Sequence, residues 1–144
     1  MTPLGVASFS TGCPETDEGS YMTTPLEISV SEHKTVTVIT LAGELDIATG
    51  DMVRSVVKEL VGEGRTRVVI DASPLRFCDA SGLEALLDSR AYILSVGGSL
   101  RLAGVHGVLA LVLDVTGLRD LFVINKTPAE SVTALSVTRQ LSVV

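Results

Sequence analysis

The sequence predicts a single α/β domain on a mixed β-sheet, with elements in the order β-β-α-β-α-β-α-β-α. Three observations carry this expectation. Leu26-Glu27-Ile28-Ser29-Val30 and part of the run from Val36 to Leu41 alternate apolar with polar residues around a short polar link, which is the pattern of a half-buried hairpin. Downstream, short apolar runs such as Val68-Val69-Ile70 have the character of strands covered on both faces. Between those runs, apolar residues recur at helical spacing, so strand and helix alternate as they do around parallel strands.

Each element follows from local chemistry. Residues 1–24 are rich in Thr, Ser, Gly and Pro and have no apolar period, so they are expected to be a disordered tail, with Met22 as a second candidate start; residues 25–144 form the domain. Glu32-His33-Lys34 supplies the hairpin turn between the first two strands. After Gly43 to Ile47, Thr49 is placed to cap a helix whose positions Met52, Val53, Val56, Val57, Leu60 and Val61 share one stripe, and Gly62 and Gly64 end it. The strand around Val68 to Ile70 ends at Asp71, and a helix from about Gly82 to Val96 stops at Gly97-Gly98. Leu100 to Ala103 is the next strand, Val108 to Val115 the next helix with Gly117 behind it, and Phe122-Val123-Ile124 the last strand. Thr127-Pro128-Ala129-Glu130 combines a cap, a first-turn proline and a third-position glutamate, so a final helix runs through Leu135.

Composition excludes several classes. The chain has 144 residues, 46% hydrophobic but only 3% aromatic, so its core is aliphatic. A formal net charge of −6, with Glu15, Asp17 and Glu18 uncompensated by any base in the first 24 residues, argues against nucleic acid or an anionic membrane as partner. The longest apolar run, Val108 to Leu113, stops at Asp114, and the amino terminus lacks the pattern of a signal peptide, so a cytoplasmic protein is expected. Cys13 and Cys78 make no metal or redox motif, and Cys78 reads as a small buried hydrophobe. No Walker A loop, nucleophile elbow or paired-carboxylate site is present, so neither an enzyme nor a cofactor site is expected. Asp71 and Lys126 sit where a phosphate-accepting receiver domain would carry its acid and lysine, but an opening hairpin is not a receiver's layout.

The candidate site lies at the carboxyl ends of the strands, where helix amino termini gather. Gly43-Glu44-Leu45-Asp46 follows the second strand, and Asp79-Ala80-Ser81-Gly82-Leu83 opens a helix after the third. If those strands are close, Glu44, Asp46, Asp79 and Ser81 share one acidic surface. Ser81 with Glu84 three residues on is a capping-box pattern, Asp79 can cap the same helix through its carboxylate, and Asp46 has no evident cap role. His33 and His106 read as polar turn residues.

These residues resemble the STAS domain, and within it the bacterial anti-anti-sigma factors, over about residues 26–137. The resemblance rests on Gly43-Glu44-Leu45-Asp46, Phe77-Cys78-Asp79-Ala80-Ser81-Gly82-Leu83, the Gly97-Gly98 break and Thr116-Gly117-Leu118 before Leu121-Phe122. It implies a protein that binds an anti-sigma factor, a serine kinase related to histidine-kinase ATPase domains, and thereby releases a sigma factor. It also implies phosphorylation by that kinase and reversal by a serine phosphatase. The family's turn reads Asp-Ser-Ser-Gly or Asp-Ser-Thr-Gly with phosphate on the residue after Asp, which here is Ala80. Either Ser81 is the acceptor or this turn is not a phosphorylation switch. The partner-binding residues implied are Glu44, Asp46, Asp79, Ala80, Ser81, Gly82 and Leu83. A STAS scaffold module of a larger signalling complex is the alternative.

Overall fold

The computed structural model describes residues 7–10 and 26–143. Strand β2 (Leu26–His33) and strand β3 (Val36–Leu45) form the expected antiparallel hairpin, paired over the whole of β2 from His33↔Val36 to Leu26↔Gly43. The turn is tighter than the sequence suggests, because Lys34 takes a left-handed φ of 61° and the strands reach His33 and Val36 on either side. Helix α1 (Gly50–Gly62), strand β4 (Arg67–Asp71), strand β5 (Leu75–Cys78), helix α2 (Ala80–Ser95), strand β6 (Ser99–Ala103), helix α3 (Gly107–Thr116), a 3₁₀ turn (Arg119–Leu121), strand β7 (Val123–Asn125) and helix α4 (Pro128–Val143) follow. β4 pairs in parallel with β3, β6 with β4 and β7 with β6, so the sheet is mixed as its hairpin opening requires.

Two strands were not foreseen. Ala7–Ser10, in the stretch expected to be a disordered tail, forms strand β1 along the free edge of β2, from Ala7↔Val30 to Ser10↔Glu27. An edge offers a row of unpaired N–H and C=O groups to any short extended segment, so pairing here needs little apolar pattern in the segment itself. The rest of the tail lies outside the described residues. β5 is the second: four residues that continue the line of β4 past Ser73-Pro74 and pair with the carboxyl end of β3. Its length leaves no readable period.

The sheet is packed on both faces. Ile28, Ile39, Leu41, Leu45 and Ile70 meet Val53, Val57, Leu83, Leu86, Ile93 and Leu113 of α1, α2 and α3 in one buried cluster. On the opposite face Val36, Val38, Val69 and Ala103 meet Leu135 of α4. Consequently Val36, Thr37, Val38 and Ile39 are all buried, so β3 is a central strand covered on both faces rather than the half-buried strand its alternation suggested. The final capping box forms: Glu130 N donates to Thr127 Oγ1 at 3.2 Å, and Glu130 Oε1 accepts from Lys126 N at 3.0 Å.

A chain beginning at Met22 loses β1 but keeps every residue of the two apolar clusters. Such a truncation should lower stability by about 1 kcal/mol or less, a few degrees in Tm. Thermal unfolding followed by circular dichroism measures it, and a fall beyond roughly 10 °C would mean that the tail supports the core.

Candidate functional site

The site grows from the way β3 ends. Gly43 has a φ of 117°, a region that only glycine enters readily, and the β3–β5 register shifts between Gly43 and Glu44. Beyond that irregularity Glu44 lies opposite Phe77 and Leu45 opposite Cys78. The backbone then turns on the Asp46 carboxylate: Asp46 Oδ1 accepts from Ala48 N at 3.0 Å and Thr49 N at 3.2 Å, and Thr49 Oγ1 accepts from Asp46 N at 2.9 Å. The Thr49 hydroxyl also lies 3.0 Å from the Glu44 carbonyl oxygen, to which it donates. Thr49 is thus the N-cap residue of α1 in position, but its side chain bonds back to the turn and not to the helix. Asp46, which has no evident cap role in sequence, is the residue that holds this turn. Its signal was Thr49, three residues on, which can close an Asx turn from the other side.

The second segment is built against the first. Asp79 N donates to the Leu45 carbonyl at 3.3 Å, so the start of α2 is tied to the end of β3. Asp79 is the N-cap of α2, its carboxylate accepting from Gly82 N at 2.9 Å. The capping box expected at Ser81 and Glu84 does not form, because the helix starts two residues earlier than that pattern needs; Ala80 and Ser81 are its first two residues. Ala80 is exposed and Ser81 half-buried. Gly82 has room for no side chain: a Cβ there would overlap the Leu45 carbonyl group. Gly50 of α1 is nearly as close to α2, since a Cβ on it would lie 3.1 Å from Ala85 Cβ and 3.9 Å from the Ser81 carbonyl oxygen.

Glu44, Asp46, Asp79 and Ser81 are therefore brought to one surface, through the pairing of β3 with β5 and the contact of α1 with α2. The three carboxylates are half-buried, and among the described residues none has a cationic partner. The nearest arginine on α1, Arg54, is held by Asp51 at 2.7 Å and Asp88 at 3.0 Å. The acidic turn therefore carries uncompensated charge among the described residues. Sequence reasoning missed two apolar members: Ile47, 80% exposed beside Asp46, and Phe77, 40% exposed on β5. Ile47 was visible as an isoleucine lying outside the strand and helix periods.

Three further titratable groups near the site are structural. Cys78 is fully buried, and its thiol is pushed up to about 12, chiefly by burial and further by the Asp79 carboxylate, so it behaves as an apolar side chain. Asp71 accepts from Ser73 N at 3.0 Å and Ser73 Oγ at 2.6 Å and so closes the β4–β5 turn. His106 Nε2 lies 2.8 Å from the Ser73 carbonyl oxygen on the same turn. Among the described residues no three His, Cys, Asp or Glu side chains converge as a metal site would require, and no helix is long and apolar enough to cross a membrane.

Residues 27–131, well over half of the chain, match the STAS domain. The chain belongs to the STAS domain family. Within it, this STAS protein is 31% identical over 113 residues to the anti-sigma F factor antagonist of Paenibacillus polymyxa, an alignment that covers 78% of the chain and 97% of that relative. Its fold also matches the crystal structure of an anti-sigma factor antagonist from Mycobacterium paratuberculosis, with a TM-score of 0.68 and 23% identity over 76% of this chain and 92% of that one. A sulfate transporter family protein from Wolinella succinogenes matches nearly as well in shape, with a TM-score of 0.66 and 16% identity over 75% of this chain and 90% of that one. Shape alone therefore does not separate regulators from transporter domains. The Paenibacillus relative, by its name, belongs with the regulators.

Proposed function

We propose that this STAS protein is an anti-sigma factor antagonist: it binds an anti-sigma factor at the surface formed by Glu44, Asp46 and Asp79 to Leu83, and so frees a sigma factor for transcription. The observation that carries the reading is the juxtaposition of the Asp46 turn with the capped start of α2, which leaves unpaired carboxylates beside exposed Ile47 and Ala80. Such a surface suits a protein partner with an apolar centre and a basic rim. It is a binding device, not a catalytic one, and it acts in the cytoplasm, where sigma factors meet RNA polymerase. Affinity capture from the native host with mass spectrometry tests it. Recovery of a kinase-type anti-sigma factor is the expected result, and its absence from repeated captures would remove the proposal.

The same reading assigns the state of the switch. The STAS family's pattern places the phosphate-accepting hydroxyl on the residue after Asp, and here that residue, the exposed first position of α2, is Ala80. Ser81 is half-buried, with its backbone beside Gly50 of α1, although no cap hydrogen bond engages its hydroxyl. The protein is therefore not switched by phosphorylation at this turn, and a serine phosphatase has no substrate there. With the cognate kinase and ATP, Ala80→Ser should become labelled while the wild-type chain does not. The new phosphate would place about two negative charges next to Asp79 and weaken the complex. Substantial phosphate on Ser81 of the protein isolated from its host would contradict this assignment.

A further inference from the structure

We propose that the cleft between α1 and α2 binds a small hydroxylated aromatic carboxylate, with Ser89 at its floor and Lys58 at its mouth. The two helices pack side by side, and their contacts advance in step along both. At their starts Gly50 meets α2 so closely that a Cβ on it would lie 3.1 Å from Ala85 Cβ. One turn on, Arg54 Nε donates to Asp88 Oδ2 at 3.0 Å. Beyond that contact the helices leave a cavity of about 260 Å³, lined by Arg54, Val57, Lys58, Asp88, Ser89 and Tyr92.

The Ser89 hydroxyl singles this cavity out. Only 2% of the residue is exposed, yet its Oγ has no hydrogen-bond partner. A serine inside a helix commonly returns its hydroxyl to the carbonyl four residues back, here that of Ala85, and this one does not. An unpaired buried hydroxyl costs free energy, and alanine would pack between the two helices without that cost. The hydroxyl is therefore placed to bond a molecule that enters the cavity it lines.

The other lining residues define the ligand. Val57 is buried and Tyr92 is 38% exposed, and together they offer apolar walls that suit the faces of a flat ring. A cavity of about 150 Å³ already accommodates benzene, so this one has room for a substituted ring. Charge sets the substituent. Arg54 and Asp88 offset one another at 3.0 Å, while Asp51, which also contacts Arg54, lies outside the lining with its side chain 89% exposed to solvent. Lys58 is exposed and has no acidic partner among the described residues, so the cleft carries one free positive charge. One ammonium matches one carboxylate, and a polyphosphate would bring more negative charge than the cleft offsets. A hydroxyl on the far side of the ring then meets Ser89, which can donate or accept.

Backbone amide NMR of the full-length chain, titrated separately with 4-hydroxybenzoate, benzoate and inorganic phosphate, tests this without any anti-sigma factor and so independently of the function proposed above. 4-Hydroxybenzoate should shift the signals of Val57, Lys58, Ser89 and Tyr92 and saturate with a Kd of roughly 10 to 300 µM, in keeping with its about ten non-hydrogen atoms. Benzoate, which leaves Ser89 unpaired, should bind about tenfold more weakly. Ser89→Ala should reduce 4-hydroxybenzoate to the affinity of benzoate with no fall in Tm, and Lys58→Met should weaken both acids about tenfold and remove the salt dependence of binding. Equal affinity for the two acids, or Ser89→Ala binding within about twofold of wild type, would overturn the proposal. Phosphate binding more tightly than either acid would mark the cleft as a bare anion site. Absence of shifts at these residues up to about 10 mM 4-hydroxybenzoate would make it a packing gap, and either result also overturns the proposal.

Discussion

Replacing Gly82 by alanine will destabilise the protein by about 3 kcal/mol, a fall of roughly 10 °C in Tm, even though alanine is the better helix former. Gly82 sits in the first turn of α2 with the Leu45 carbonyl where a Cβ would go, and its own N–H is the donor in the Asp79 cap. A methyl group there must push the start of α2 away from the end of β3, which strains both the Asp79–Leu45 bond and the cap. Gly62 is the control. It lies at the end of α1 with no atom near its absent Cβ, so Gly62→Ala should be neutral or stabilising by up to about 1 kcal/mol. Urea unfolding of both variants beside the wild type measures the difference. A Gly82→Ala protein as stable as Gly62→Ala would show that α2 can stand off from the sheet at no cost.

Removing the two acidic charges without removing their structural bonds should weaken partner binding by about 3 kcal/mol, roughly 100-fold. Asp46 and Asp79 are both committed to backbone N–H groups, Asp46 to Ala48 and Thr49 and Asp79 to Gly82. Charge reversal to lysine would therefore disrupt the turn and the cap as well as the electrostatics. Asparagine keeps an acceptor oxygen in both places and caps a helix about as well as aspartate, so Asp46→Asn with Asp79→Asn isolates the charge. Calorimetry with the anti-sigma factor at low and high salt reads the effect. The double variant should lose both affinity and most of the salt dependence of association. Equal affinity of wild type and double variant would mean that the partner meets this surface without using its charge, and the interface would have to be sought elsewhere.

Much of this design is local and therefore legible. The hairpin and the final capping box follow from periods and caps that neighbouring residues set among themselves, and the helices from their apolar periods. The two site segments are legible for the same reason: Gly43 to Asp46 and Asp79 to Gly82 are punctuation at strand and helix ends. Other features depend on residues far apart. Asp79 and Ser81 are rival caps two residues apart in sequence, and each has a suitable donor downstream. Which one wins is decided by where the helix begins, and that is fixed by the Leu45 carbonyl, which receives Asp79 N and leaves no space beside Gly82.

The sequence by itself determined the order of most elements, the aliphatic core, the acidic character of the site and the absence of a hydroxyl at Ala80, because each is a property of residues within one or two turns of one another. Only the tertiary structure decided that β5 pairs with the end of β3, that β1 covers the edge of β2, that Asp46 and Asp79 share one face, and that Val108, Leu111 and Val115 remain in water. Strand pairing joins residues 17 to 33 apart here, through backbone groups that every residue carries, so side-chain pattern gives it little signature. Exposure of an apolar helix face depends on what fails to cover it, and no local period encodes that.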